Sequence, residues 1–116
     1  MMAAAARVAL IGDAFVDFNV AGLGRLPSYG TDVPCDAVRM MPGGACANTA
    51  RQLGALGGGT LAVSFFSCIG GDDLGRYFAN ALAAEGHVAD AVGSLHTLPG
   101  VPQSCCVILS GPADRA

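Results

Sequence analysis

Nine consecutive residues, Pro42-Gly43-Gly44-Ala45-Cys46-Ala47-Asn48-Thr49-Ala50, carry the residue types that a polyhydroxylated ligand needs. Gly43 and Gly44 have no Cβ, so the backbone there can take a positive φ and approach a ligand closely. A helix-forming run follows at once, and the N–H groups of a helix start have no partner inside the helix. Asn48 lies one turn further on. Its side chain offers both a donor and an acceptor, which suits a vicinal pair of hydroxyls. Asp17, just past the first apolar run, supplies a carboxylate that can accept two hydroxyl hydrogen bonds. Each is charge-assisted and worth roughly 1.5–3 kcal/mol when shielded from water. Asp13 is a second carboxylate close to the same place, although an aspartate after a strand is commonly a turn-former.

Other candidates have simpler accounts. Asp72 and Asp73 stand at a helix start, where capping explains them and where adjacent carboxylates do not face the same way, so no metal site is read there. Gly22-Leu23-Gly24 is only part of a dinucleotide fingerprint and comes too late after the strand. Cys35, Cys46, Cys68, Cys105 and Cys106 include no C-x-x-C pair, and their odd number argues against a disulfide framework. They are expected to be buried thiols acting as small hydrophobes. His87 and His96 receive no catalytic role.

These groups must be positioned by an alternation of strands and helices. Arg7 to Ile11 reads as a central parallel strand buried on both faces, and Thr60 to Ile69 as a second. Ala45 to Leu56 reads as a helix with a stripe of Ala50, Leu53 and Leu56 or Gly57, stopped by Gly57-Gly58-Gly59. Asp72 or Asp73 caps a second helix with Leu74, Phe78, Ala81, Leu82 and Glu85 along one side, closed by Gly86. Val88 to Val92 and Ser104 to Leu109 are further expected strands. The interval Asn19 to Met41 is too long for a featureless loop. Its two apolar groups, separated by Pro27-Ser28-Tyr29-Gly30, predict a two-stranded excursion from the main sheet. The fold class is therefore α/β, with Rossmann-like alternating layers and a small β excursion.

Composition narrows the partners. The 116 residues hold 53% hydrophobic and 13% charged residues, with a net charge of −3 and a mean hydropathy of +0.52. There is no basic patch, so nucleic acid is not an expected partner. Apolar runs fall well short of the roughly 18 residues that span a bilayer, so no membrane partner is expected either. Met1 to Arg7 lacks the pattern of a signal peptide, and the default location is cytosolic. A complete small domain should be richer in charge, because its surface-to-volume ratio is high. The apolar excess thus suggests a piece of a larger domain, although alanine accounts for part of it.

Three segments taken in order resemble the N-terminal part of the ribokinase-like (pfkB-type) carbohydrate kinases. They are Gly12-Asp13-Ala14-Phe15-Val16-Asp17, the Gly43-Gly44-Ala45-Cys46-Ala47-Asn48-Thr49-Ala50 signature, and Cys68-Ile69-Gly70-Gly71-Asp72-Asp73-Leu74-Gly75-Arg76. Cys46 departs from the Gly, Ala or Pro usual in that signature. The stretch from Leu98-Pro99-Gly100 to Leu109 resembles the strand after the second crossover. The resemblance implies that Asp17 binds sugar, with Gly43, Gly44, Asn48 and Asp13 around the same acceptor, and that 19–41 is a β lid through which some relatives dimerise. Phe15 stands where some members place a polar side chain, so ribose is not named as the acceptor. It also implies a whole enzyme that uses ATP and Mg²⁺, with its catalytic aspartate and anion hole in an Asp-Thr-x-Gly-Ala-Gly-Asp type signature. No such segment occurs in these residues. The expectation is therefore a sugar-binding half without a catalytic base, binding ATP and Mg²⁺ poorly and inactive alone. A truncated, non-catalytic polyol binder is the alternative, and a dinucleotide-binding oxidoreductase domain a more distant one.

Overall fold

The computed structural model describes residues 6–91 and 93–112. The Met1–Ala5 start read above for targeting lies outside them. The elements run β1 (Ala6–Ile11), β2 (Phe15–Ala21), β3 (Ala37–Gly43), α1 (Ala45–Gly57), β4 (Leu61–Gly70), α2 (Asp73–Glu85), β5 (Leu95–Leu98) and β6 (Cys105–Leu109). They form two three-stranded sheets, ordered β1-β4-β5 and β3-β2-β6. The first is parallel throughout, and its two crossovers carry α1 and α2. In the second, β2 pairs antiparallel with β3 and parallel with β6.

The core forms where the helices meet β4. Alternate residues Val63, Phe65 and Ile69 are buried, because successive strand side chains point to opposite faces. Phe65 meets Phe78 of α2 at a ring-centroid distance of 6.5 Å and an interplanar angle of 51°, a tilted geometry favoured by the ring quadrupoles. Leu82 of α2, Ala47 and Ala50 of α1 and Val16 of β2 complete this centre. On the opposite face of β4, Phe66 is 43% exposed, and at the end of β1 Ile11 is 81% exposed. Burial on both faces, expected of β1 and β4 from their continuous apolar runs, is therefore not what these residues make. The two helices cover one side, and β1 is an edge strand. Leu56 likewise stands 82% exposed on α1, because the helix turns Ala47, Ala50 and Leu53 inward instead.

Both helix starts are closed by carboxylates. Asp72 is the N-cap of α2 and accepts from the Gly75 N–H at 3.0 Å. The N-cap of α1 is Gly44, which has no side chain, and Asp13 reaches across from the β1–β2 connection to take its place. Its carboxylate accepts from the N–H groups of Ala45 at 3.1 Å and Cys46 at 3.0 Å. Hydrogen bonding from Cys46, reinforced by Ala45, holds the Asp13 carboxyl below its ordinary range. The N–H groups of Gly75 and Gln103 do the same for Asp72. At the other ends, Gly58 and Gly86 take the left-handed conformation that commonly stops a helix.

Further expectations need correction. Residues 88–91 are not a strand but a turn, with Asp90 at φ 45° and Ser94 N–H bonded to the Asp90 carbonyl. Val92 is outside the described residues. The expected final strand forms, as β6, in the second sheet. Gln103, 6% exposed, accepts from the Gly70 N–H at 2.9 Å and donates to the Ala14 carbonyl at 2.8 Å. Its own N–H is held by Asp72. These bonds fix the chain at the junction of the two sheets, and β6 departs alongside β2. The excursion expected over 19–41 begins earlier, at Phe15, and its 15-residue connection between β2 and β3 is folded. Leu23 is buried within it, and Ser28 and Thr31 close a turn. The thiols are the last departure. Cys46 is half-buried and the other four are exposed, with none in a disulfide.

Two outcomes follow from one-sided cover and carboxylate caps. The radius of gyration is 16.9 Å, against about 13 Å for a compact chain of about this length. Uncovered apolar faces and open strand edges favour association. Sedimentation of the isolated chain should therefore find an oligomer or aggregate that binds a hydrophobic dye. A monomer with a cooperative thermal transition and no dye binding would contradict this. Second, a carboxyl held below its unfolded value of about 3.9 leaves the unfolded chain binding more protons, so stability rises with pH. The contribution of Asp13 and Asp72 is complete above about pH 4–5 and lost as pH falls through their depressed values. Solvent screening at both sites keeps it modest. Circular dichroism melts should show a shallower loss of Tm below pH 4 in the Asp13→Asn/Asp72→Asn variant than in the parent.

Candidate functional site

The diglycine corner joins the second sheet to α1. Gly44 has φ 99° and ψ 139°, a conformation that costs other residues steric strain. A Cβ built on it would lie 2.9 Å from the Asp13 carbonyl oxygen. Gly43, at the end of β3, is buried against the Asp17 carboxylate, which occupies the space a side chain would need. Gly12 is under the same constraint. A Cβ there would meet Cys46 Cβ and Sγ at 2.6 and 2.8 Å. Cys46 is thus accommodated by a glycine facing it, and burial raises its thiol pKa.

Asp17, read from the sequence as lying just past the first strand, belongs to the second. It lies in the middle of β2, paired in register with Met41 of β3 and Cys106 of β6. Strand alternation puts Phe15, Asp17 and Asn19 on one face, with Arg39 opposite Asn19 and Gly43 opposite Phe15. On the other face, Val16 is fully buried and Phe18 packs against the core. Among the described residues, no hydrogen bond occupies the Asp17 carboxylate. The second sheet therefore presents two polar side chains of β2 beside a glycine corner against which the Asp17 carboxylate closes. Asn19 and Arg39 went unread in the sequence, although the alternation Phe15-Val16-Asp17-Phe18-Asn19 carries the signal.

The helix start differs from expectation. The N–H groups of Ala45 and Cys46 are not free to meet a ligand, because Asp13 holds both. Asp13 thus braces the corner, with one carboxylate oxygen on each of these N–H groups. Asn48 is exposed, in the first turns of α1, and its Oδ1 accepts from Arg51 Nη1 at 3.1 Å. That leaves its Nδ2 donors for a neighbour. The structure therefore brings Asp17 to Gly43 and Asp13 to Gly44, with Asn48 held through Arg51. Gly22 and Gly24 lie in the connection between β2 and β3, not between a strand and a helix, so they form no dinucleotide corner.

A cleft of about 690 Å³ opens elsewhere, at the carboxyl ends of β1 and β4. It is lined by Ile11, Phe15, Phe66, Cys68 and His96 among others, and it touches Asp13 but not Asp17, Gly43 or Asn48. Its walls are mainly the uncovered apolar surface of the first sheet. We place the candidate site on the Asp17 face instead, where polar groups converge. No group of three metal-ligating side chains occurs among the described residues, and no described helix is long and apolar enough to cross a membrane.

Comparison with known proteins bears on the fold. The structure is similar to ribokinase of Arabidopsis thaliana, solved with ribose and ATP, at 23% identity and a TM-score of 0.79, over 97% of this chain and 35% of that one. It is similar to Thermotoga maritima ribokinase at 17% identity and a TM-score of 0.76, again over 97% and 35%. Xylella fastidiosa fructokinase aligns at 24% identity and a TM-score of 0.66, over 95% and 32%. The fold is the one these kinases share, and the chain spans about a third of their length. No curated protein matches the sequence. The family model for pfkB family carbohydrate kinases matches residues 5–94, and with the glycine corner and both crossovers inside that span, the chain belongs to the pfkB family of carbohydrate kinases.

Proposed function

We propose that these 116 residues form the acceptor side of a carbohydrate or nucleoside kinase, the side that holds the sugar hydroxyls. The observation that carries this reading is the Asp17 carboxylate, unoccupied among the described residues and seated over Gly43 on the polar face of the second sheet. A carboxylate so placed accepts from two hydroxyls, the missing side chains of Gly43 and Gly44 let Asp17 and Asp13 close against the backbone, and Asn48 Nδ2 donates to a further oxygen. The second sheet would act as a lid on the sugar. Its other face carries exposed Val38, Met40 and Val107, a surface on which a second copy of the chain would pack.

The nucleotide does not fit here. Phosphoryl transfer needs backbone donors or cations aimed at the phosphates, and both described helix starts already hold a carboxylate, which repels an anion. ATP and Mg²⁺ therefore belong to residues outside this stretch, together with the base that takes the proton from the attacking hydroxyl. By itself the chain binds a polyol and transfers nothing, which also matches its reading as a non-catalytic polyol binder.

Equilibrium dialysis of the chain against D-ribose, D-fructose and adenosine tests this. At least one should bind. Asp17→Ala should weaken that ligand by at least about 10-fold, as losing charge-assisted hydrogen bonds each worth ~1.5–3 kcal/mol requires. Asp72→Ala should lower Tm and leave affinity unchanged. Equal losses from both substitutions, or binding indifferent to Asp17, would contradict the assignment. With ATP, Mg²⁺ and the bound sugar, the 116 residues should release no ADP above background; steady turnover would sink the division of labour.

A further inference from the structure

Arg51 and Glu85 belong to no motif in the sequence, yet they organise the edge of the candidate site. Arg51, on α1, faces Glu85 at the end of α2. Its Nε donates to both carboxylate oxygens at 3.0 and 2.8 Å, and its Nη2 to Oε1 at 2.6 Å. The pair is largely shielded, with side-chain exposures of 21% and 27%. The remaining nitrogen, Nη1, donates to the Pro42 carbonyl at 2.9 Å and to Asn48 Oδ1 at 3.1 Å. One planar cation thus touches both helices, the end of β3 just before Gly43, and the side chain of Asn48. Tyr77 of α2 makes a parallel contact two residues earlier on β3, donating its hydroxyl to the Met40 carbonyl at 2.8 Å. Both carbonyls lie on the edge strand of the second sheet, which has β2 as its partner in the sheet.

We infer that Arg51 is a positioning residue that turns the Asn48 amide so that its two N–H donors face outward, while it pins the Gly43 end of β3 to the helices. The inference rests on the acceptor-side reading for its consequence but not for its geometry. A free asparagine amide presents donor or acceptor with equal ease. Once Oδ1 is engaged by a cation, the outward group is the donor alone, and the ligand oxygen it meets must accept. The site then reads hydroxyl oxygens with opposite polarity at its two sides, with Asp17 accepting and Asn48 donating. Glu85 keeps the guanidinium in plane and in place. A lysine cannot copy this arrangement, because its single nitrogen lacks the rigid fork that serves three acceptors together.

The test uses ¹⁵N-labelled chain and two readouts, Tm and the Asn48 Nδ2H₂ resonance pair. Arg51→Met should lower Tm and shift the Asn48 pair. Arg51→Lys should recover much of the Tm through Glu85 but leave the Asn48 pair displaced, a split that a merely structural ion pair would not produce. An Asn48 pair that stays at its wild-type position in both variants overturns the inference, as does full recovery of that pair by lysine. If Arg51→Met does not fold, Glu85→Gln replaces it, since the guanidinium then loses its ionic anchor while packing is kept. Adding D-ribose, D-fructose or adenosine to wild-type chain separates the two readings. Absence of any shift at Asn48 or Asp17 counts against the acceptor site and leaves the Arg51–Asn48 result standing.

Discussion

The Asp13 carboxylate at the start of α1 is the contact on which the rest of the site depends. It joins the corner after β1 to a helix 32 residues further along the chain, and it does so because Gly44 can take a positive φ but cannot cap the helix itself. The close approach of Asp13 to Gly44 then fixes where β3 ends, and with it the seat of Gly43 under Asp17. The same bond settles an electrostatic question. A helix start braced by a carboxylate no longer attracts an anion, so this corner suits neutral hydroxyls and not phosphates. Asp72 does the same for α2, and its second oxygen reaches Gln103 at the point where the two sheets meet.

Packing is asymmetric in a way that matters for function. The core built by Val63, Phe65, Phe78 and Leu82 lies on one side of β4, and Ile11 and Phe66 stay open on the other. The cleft beside them is large because that face is uncovered. The second sheet is linked to this core through buried Val16, the Gln103 amide, Arg51 and the Tyr77 hydroxyl, attachments of different chemistry. Its polar side chains can therefore be held at fixed positions although the sheet extends beyond the main body.

Most of the fold could be read from the sequence because its signals are local. The glycines at 58 and 86, the Asp72 cap and the apolar runs of β1 and β4 each act within a few residues. The signals that went unread are long-range. Nothing near Ser104 tells β6 to join β2, since that choice depends on Gln103 meeting Gly70 and Ala14. The turn at 88–91 replaced an expected strand because apolar Val88 and Ala91 are buried from a turn as readily as from a strand. For the site, Gly43, Gly44 and Asn48 were legible as types, and Asp17 as a carboxylate. The role of Asp13 was not, because an aspartate after a strand looks the same whether it closes its own turn or caps a distant helix. Arg51 was invisible for a similar reason, as one more charge on a helix whose partner lies 34 residues away.

The central claim is that the acceptor is held on the Asp17 face and not in the larger cleft between the strand ends. A crystal structure of the chain soaked with the sugar that binds it in solution tests this most directly. The account predicts a ring within hydrogen-bond distance of the Asp17 carboxylate, against the Gly43-Gly44 backbone, with a hydroxyl oxygen accepting from Asn48 Nδ2. A sugar seated instead among Ile11, Phe66 and His96, with Asp17 left in water, would contradict it.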